Sequence, residues 1–202
     1  MECNYTLPIN LLNYAIEKKV EFFVNIDTSL NQYTNIYALS KAQFRQWGTF
    51  FSLEKKIKFK NLNLQYFFGP GEERTSFISN MIHLCKRNEK KIPLTGGLQK
   101  RDFVYIEDAV DACFFCITKD IDMSNFYINY DIGSGNSLTI RNVCQKILNA
   151  TNSSSTFDFG VIPYRRYEPM NSVVNLSEMS RIGWYPRYSF DDGLKLTIES
   201  LK

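Results

Sequence analysis

Glu21-Phe22-Phe23-Val24-Asn25-Ile26 is the stretch that decides the fold, because an apolar run this short, bounded by polar residues, reads as a buried strand. Asp27, Thr28 and Ser29 stand at its carboxyl end, and a polar loop follows over 31–35. Upstream, Ile9, Leu11, Leu12, Ala15 and Ile16 recur at helical spacing, which predicts a helix from Pro8 to Lys19. Downstream, a long helix is expected from Ile36 to Ser52 and a second strand from Ile57 to Phe68, ended by Gly69-Pro70-Gly71. Strand, helix and strand in alternation imply parallel pairing, hence an α/β fold built on part of a Rossmann-like sheet.

Past Gly71 the character changes. Helices are expected over 75–87, 107–117 and 139–148, the last with Thr139 as cap, and short strands over 92–95, 103–106 and 126–132. A final helix follows Asp191-Asp192-Gly193. The predicted organisation is a nucleotide-binding layer over 1–70 and a small mixed α/β substrate-binding lobe over 71–202.

Composition narrows the function. Of 202 residues, 44% are hydrophobic and 15% aromatic, enough to bury a sizeable core. A net charge of +3 argues against a nucleic-acid polymer as partner. The one histidine, His83, makes a His-based triad or a multi-His metal site unattractive, so no metal is expected. Five cysteines at loose spacing read as reduced, which predicts a cytoplasmic setting. Cys113 and Cys116 have redox-like spacing but lie amid apolar residues and are expected to pack as small hydrophobes. No apolar run is long enough to predict a membrane span, and the amino end shows no signal-peptide pattern.

The chemistry centres on Tyr37-Ala38-Leu39-Ser40-Lys41. Residues four apart share a helix face, so the lysine ammonium is expected beside the phenol, where it would favour phenolate. Such a tyrosine can give a proton to a ketone oxygen or take one from an alcohol. Thr28 stands at the carboxyl end of the preceding strand, where parallel sheets meet ligands, and could hydrogen-bond the same oxygen.

Successive blocks then carry a resemblance. They are Tyr37 to Lys41; Phe67-Phe68-Gly69-Pro70-Gly71-Glu72; Thr95-Gly96-Gly97 with Gln99 to Asp108; and Gly183-Trp184-Tyr185-Pro186. In this order they resemble the NAD-dependent epimerase/dehydratase family of extended short-chain dehydrogenases/reductases. Val24 to Thr28 and Phe157 to Gly160 are most similar to its CDP-abequose and CDP-paratose synthase branch, which reduces a 4-keto nucleotide sugar. The resemblance implies an NAD or NADP cofactor, a nucleotide-linked sugar as partner, a place in the O-antigen part of lipopolysaccharide biosynthesis, and a homodimer built on the first two helices. It makes Tyr37 the acid/base and Lys41 its helper, which also holds the nicotinamide ribose. It sets Phe67, Phe68 and Pro70 near the nicotinamide. Arg101 and Arg165 would meet the nucleotide diphosphate, a task suited to the rigid guanidinium fork.

Two departures from the family stand out. Ile26 occupies a position where the family carries Thr or Ser, so either Thr28 substitutes or the proton relay is weakened. No glycine-rich G-x-x-G-x-x-G or G-x-G-x-x-G turn occurs in the sequence. The family holds its cofactor pyrophosphate on that turn at the amino end. About three βαβ units, or about 90 residues, would precede this chain, which therefore reads as amino-terminally truncated. The alternative to an active enzyme is a non-catalytic remnant that keeps the sugar-nucleotide lobe.

Overall fold

The computed structural model describes residues 2–119 and 124–201. After a short 3₁₀ turn at Glu2–Asn4, the first half runs α1 (Thr6–Glu17), β1 (Phe22–Thr28), α2 (Ile36–Leu53), β2 (Lys58–Leu64), β3 (Tyr66–Phe68), α3 (Phe77–Lys86), β4 (Lys91–Leu94) and β5 (Lys100–Tyr105). The second runs α4 (Ile106–Thr118), β6 (Tyr127–Ile132), β7 (Ser137–Thr139), α5 (Ile140–Thr151), β8 (Thr156–Phe159), α6 (Ser177–Arg181) and α7 (Phe190–Ser200). The chain forms two compact units. The first holds Met1–Gln65, Asp111–Ile132 and Leu176–Tyr185; the second holds Tyr66–Val110, Gly133–Asn175 and Pro186–Lys202. They are interleaved along the chain, because two later segments join the first unit.

The first unit is an α/β layer whose three strands pair in parallel in the order β1-β2-β6. Its two faces differ because side chains alternate along a strand. On one face Phe23, Phe59 and Tyr127 lie in register and stack, with centroids 5.8 and 6.2 Å apart. Phe44 of α2 meets Phe59 edge-on at 6.0 Å, and Leu12 and Ala15 of α1 complete this core. Gly48 lets α2 come this close: a Cβ there would lie 2.2 Å from the Phe59 ring. On the other face Leu62, Tyr130 and Ile132 pack with Ala112, Cys116, Met179 and Trp184, and the Trp184 indole donates to Asp111 at 3.0 Å.

The second unit joins β3 to β5 in parallel and β5 to β7 antiparallel, with β4 and β8 as a separate parallel pair. Phe68, Phe103 and Tyr105 build its core with Ile78 and Ile82 of α3, Ile140 and Ile147 of α5, and Leu194 of α7. Asp102, fully buried, accepts from Ser134 N and Oγ and from Gly135 N at 2.7–2.9 Å, fixing the turn before β7.

The strand expected over 57–68 is two strands, parted at Gln65. The backbone N–H of Gln65 still bonds Ile132 of the first sheet, whereas Tyr66 pairs with Phe103 in the second unit. Expected as polar loop or turn, or not foreseen, β7, β8 and α6 are three to five residues long, too short for periodicity to register. Thr139 caps α5 as expected, accepting from Asn142 N at 3.1 Å.

Candidate active site

In the first unit the site is assembled where β1 ends and α2 begins. The Asn35 carboxamide caps α2 by accepting from Ala38 N at 2.8 Å, which fixes the first turn and with it Tyr37. Lys41 follows one turn later and Arg45 one turn after that, so all three share a helix face. The phenol is 44% exposed, open to a ligand.

Lys41 Nζ donates to the backbone carbonyl of Ile26. The half-exposed Ile26 therefore contributes an acceptor from its main chain, whatever its side chain lacks. The Thr28 hydroxyl, two residues on, is near enough to the Tyr37 phenol to pull its pKa down. Its oxygen also accepts from Leu30 N at 3.3 Å. Tyr37, Lys41 and Thr28 are thus brought together.

The electrostatics differ from the expectation that Lys41 lowers the tyrosine pKa. Burial, and then the negative charge of Asp27, push the Tyr37 phenol above its ordinary 10.0, while the Thr28 hydroxyl pulls it down. Burial pulls the Lys41 ammonium below its ordinary value, and Asp27 works against that. Asp27 is buried, ion-paired to Arg45, and accepts from Thr28 N at 2.8 Å. In the sequence Asp27 stood only as part of the polar end of β1, and Arg45 was not singled out. The available signal was the position of Arg45, one turn beyond Lys41.

The other candidates lie in the second unit. Phe68 belongs to the core, packed against Phe103, Tyr105 and Phe190, so its ring is unavailable to a ligand. Phe67 and Pro70 are exposed. A cavity of about 320 Å³ opens among Tyr66, Phe103, Gln99, Arg101, Arg165 and Glu168, with further aliphatic walls. Arg101 is buried there and already engaged: it donates to the Pro169 carbonyl at 2.6 Å and the Lys100 carbonyl at 2.7 Å, pairs with Glu168, and lies over the Tyr66 ring. Arg165 is exposed and lines the cavity wall. Gln99 is buried, donates to Thr95 Oγ1 at 2.9 Å and keeps its carboxamide oxygen unpaired, a polar group the sequence did not flag.

The cysteines are free; Cys85, Cys116 and Cys144 are buried, and burial pushes the Cys116 and Cys144 thiols up to about 12. Among the described residues no cluster of three or more His, Cys, Asp or Glu is placed to hold a metal, and no helix is long and apolar enough to cross a membrane.

Residues 1–133 match the NAD dependent epimerase/dehydratase family. The chain is 27% identical to CDP-abequose synthase of Salmonella typhimurium over 208 residues, covering 99% of this chain and 69% of that protein. It is 25% identical to dTDP-4-dehydro-6-deoxyglucose reductase of Escherichia coli, over 82% of this chain and 52% of that one. Among solved structures, UDP-glucose 4-epimerase from Thermotoga maritima superposes with a TM-score of 0.85 at 21% identity, over 99% of this chain and 69% of that one. UDP-glucuronic acid 4-epimerase from Bacillus cereus gives 0.85 at 18%, over 98% and 67%. The shared fold and the family match over most of the chain lead to one statement: this protein belongs to the NAD-dependent epimerase/dehydratase family.

Proposed function

We propose that the protein serves the NAD(P)-dependent reduction of a 4-keto nucleotide sugar, with Tyr37 as proton donor. The observation that carries this is the exposed Tyr37 at the head of α2, one helical turn before Lys41, whose ammonium is anchored on the Ile26 carbonyl near the end of β1. A phenol held above 10.0 is protonated at neutral pH, which suits an acid better than a base. The nicotinamide cofactor supplies a hydride when bound. Tyr37 delivers the proton to the carbonyl oxygen. Thr28 then donates to the phenolate left behind, and the Lys41 ammonium stabilises its charge. One Lys41 N–H is spent on Ile26, so two remain for ribose hydroxyls, and Phe67 and Pro70 are our candidates to flank the ring.

Residues 1–70 would form the cofactor side, and most of 71–202 the sugar-nucleotide side. The cavity suits a nucleoside diphosphate, with aromatic walls for the base and Arg165 for phosphate. Arg101 would hold the wall by fixing Glu168 and Pro169. Relatives named CDP-abequose synthase favour cytidine as the nucleoside, a 4-keto sugar as substrate and O-antigen assembly as the setting. Five unpaired cysteines go with a reducing cytoplasm.

Calorimetry with CDP tests the cavity. Arg165→Ala is expected to weaken CDP binding by about ten- to a hundredfold, the worth of a charge-assisted contact. Unchanged affinity would remove Arg165 from the site. Consumption of NADPH with a CDP-linked 4-keto dideoxy sugar tests the reaction. CDP binding without cofactor uptake would favour the second reading, a non-catalytic nucleotide-sugar-binding protein.

We also propose a homodimer through α1 and α2, which expose Leu7, Leu11, Tyr14, Trp47, Phe50 and Leu53. Sedimentation should give twice the mass of one chain. A single-chain mass at high protein concentration would dismiss it.

A further inference from the structure

The face of the first sheet turned toward α2 carries an unusual polar core. Beyond the aromatic row, Asn25, Asn61 and Asn129 stand in register, one from each strand. Asn25 Nδ2 donates to Asn61 Oδ1 and Asn61 Nδ2 to Asn129 Oδ1, both at 2.7 Å. The next row is Asp27, Asn63 and Asp131. Asn61 Nδ2 reaches Asp27 Oδ2 at 3.2 Å, and Asn63 Nδ2 reaches Asp131 Oδ1 at 2.7 Å. Asn25, Asp27 and Asn61 are all buried.

Buried polar groups are costly, and a well-packed apolar row is commonly as stable or more so. The inner row is bonded from strand to strand and so fixes a geometry, while Asn63 Oδ1 in the next row is left without a partner among the described residues. The ladder's charged link to α2 is Asp27, through Arg45. The same carboxylate accepts from Thr28 N. It therefore ties the end of β1, where Thr28 sits, to the helix face that bears Tyr37 and Lys41.

We propose that Asp27 is a positioning residue of the acid/base site: held by the asparagine ladder and by Arg45, it sets Thr28 against Tyr37 and faces Lys41 with negative charge. This rests on the reading of Tyr37 as proton donor. The Coulombic effect of Asp27 on both Tyr37 and Lys41 agrees with that placement. The charged and titratable groups around Asp27 are Tyr37, Lys41 and Arg45 on α2 and Tyr127 and Asp131 on β6; β2 presents the amides Asn61 and Asn63. Tyr127 feels Arg45, Asp27 and Asp131 alike, so it belongs to the same cluster.

The test follows Lys41 by NMR, through its side-chain 13Cε shift against pH, assigned with Lys41→Arg. Asp27→Asn keeps size but removes the charge and one of the two acceptor oxygens, so the Lys41 midpoint is expected to fall to lower pH. Arg45→Gln leaves Asp27 less neutralised, so the midpoint is expected to rise. Glu54→Gln, at the exposed far end of α2, is the control and should leave it in place. An unmoved midpoint in either of the first two variants, or shifts of the same sign in both, overturns the proposal. If Asp27→Asn does not fold, the sign seen with Arg45→Gln decides alone. A second readout is kinetic: Asp27→Asn should lower kcat by up to about 100-fold, the cost of a misplaced catalytic group, with KM for the sugar nucleotide little changed. The NMR titration needs no turnover, so its failure counts against Asp27, whereas absence of turnover in the unaltered protein counts against the reductase reading.

Discussion

Tyr37→Phe lowers kcat by about 10²–10⁴-fold, the usual contribution of a positioned general acid, and leaves the melting temperature nearly where it was. The change removes one oxygen from a half-exposed ring at the start of α2. The cap that builds this turn comes from Asn35 and Ala38 and is untouched. The Thr28 oxygen keeps its bond from Leu30 N, so no buried partner is orphaned. The loss therefore falls on chemistry. KM for the sugar nucleotide should hold, because its proposed cavity lies in the second unit. The pH profile gives an independent check. An acid works while protonated, and the phenol is held above its ordinary 10.0. Reduction should thus run level through neutral pH and decline only on the alkaline side of that value. Full turnover by Tyr37→Phe, or an ionisation near neutrality that disappears with it, would each refute the assigned role in its present form.

Phe59→Ala should cost about 3–5 kcal/mol, the usual penalty for emptying a buried aromatic site. That is a large part of the stability of a typical domain. Phe59 is fully buried and stacked between Phe23 and Tyr127, with Phe44 edge-on against it. The cavity cannot easily close, because its walls are strand residues held in register on both sides. Gly48 faces the same ring and has no side chain with which to fill the gap. Urea unfolding followed by circular dichroism measures the loss, and Phe59→Leu should lose less. A change under about 1 kcal/mol would mean that this row is not the core it is taken to be. One variant acts at the exposed first turn of α2, the other on β2 where the buried middle of α2 packs against it.

Much of the first unit was legible in the sequence, since its signals are local. The short apolar run over 21–26 and the long helix over 36–52 depend on near neighbours, and Asn35 stands where a cap belongs. The same locality put Tyr37 and Lys41 on one helix face. It also misjudged that pair, because a pKa depends on everything that surrounds a group. Burial and the Asp27 charge act on the phenol, and neither is a property of the helix that carries it.

The amino-acid sequence by itself determined the class of fold, the Tyr37–Lys41 pair and the family. These rest on residue types at short, fixed spacing and on blocks in a fixed order. Only the tertiary structure decided that Lys41 bonds the Ile26 carbonyl, that Arg101 is engaged with Glu168, that Phe68 is core, and that 111–132 and 176–185 join the first unit. Each of these is a contact between residues at least 15 positions apart in the chain. Which partner such a residue finds depends on how whole strands and helices pack, and no local pattern encodes that choice.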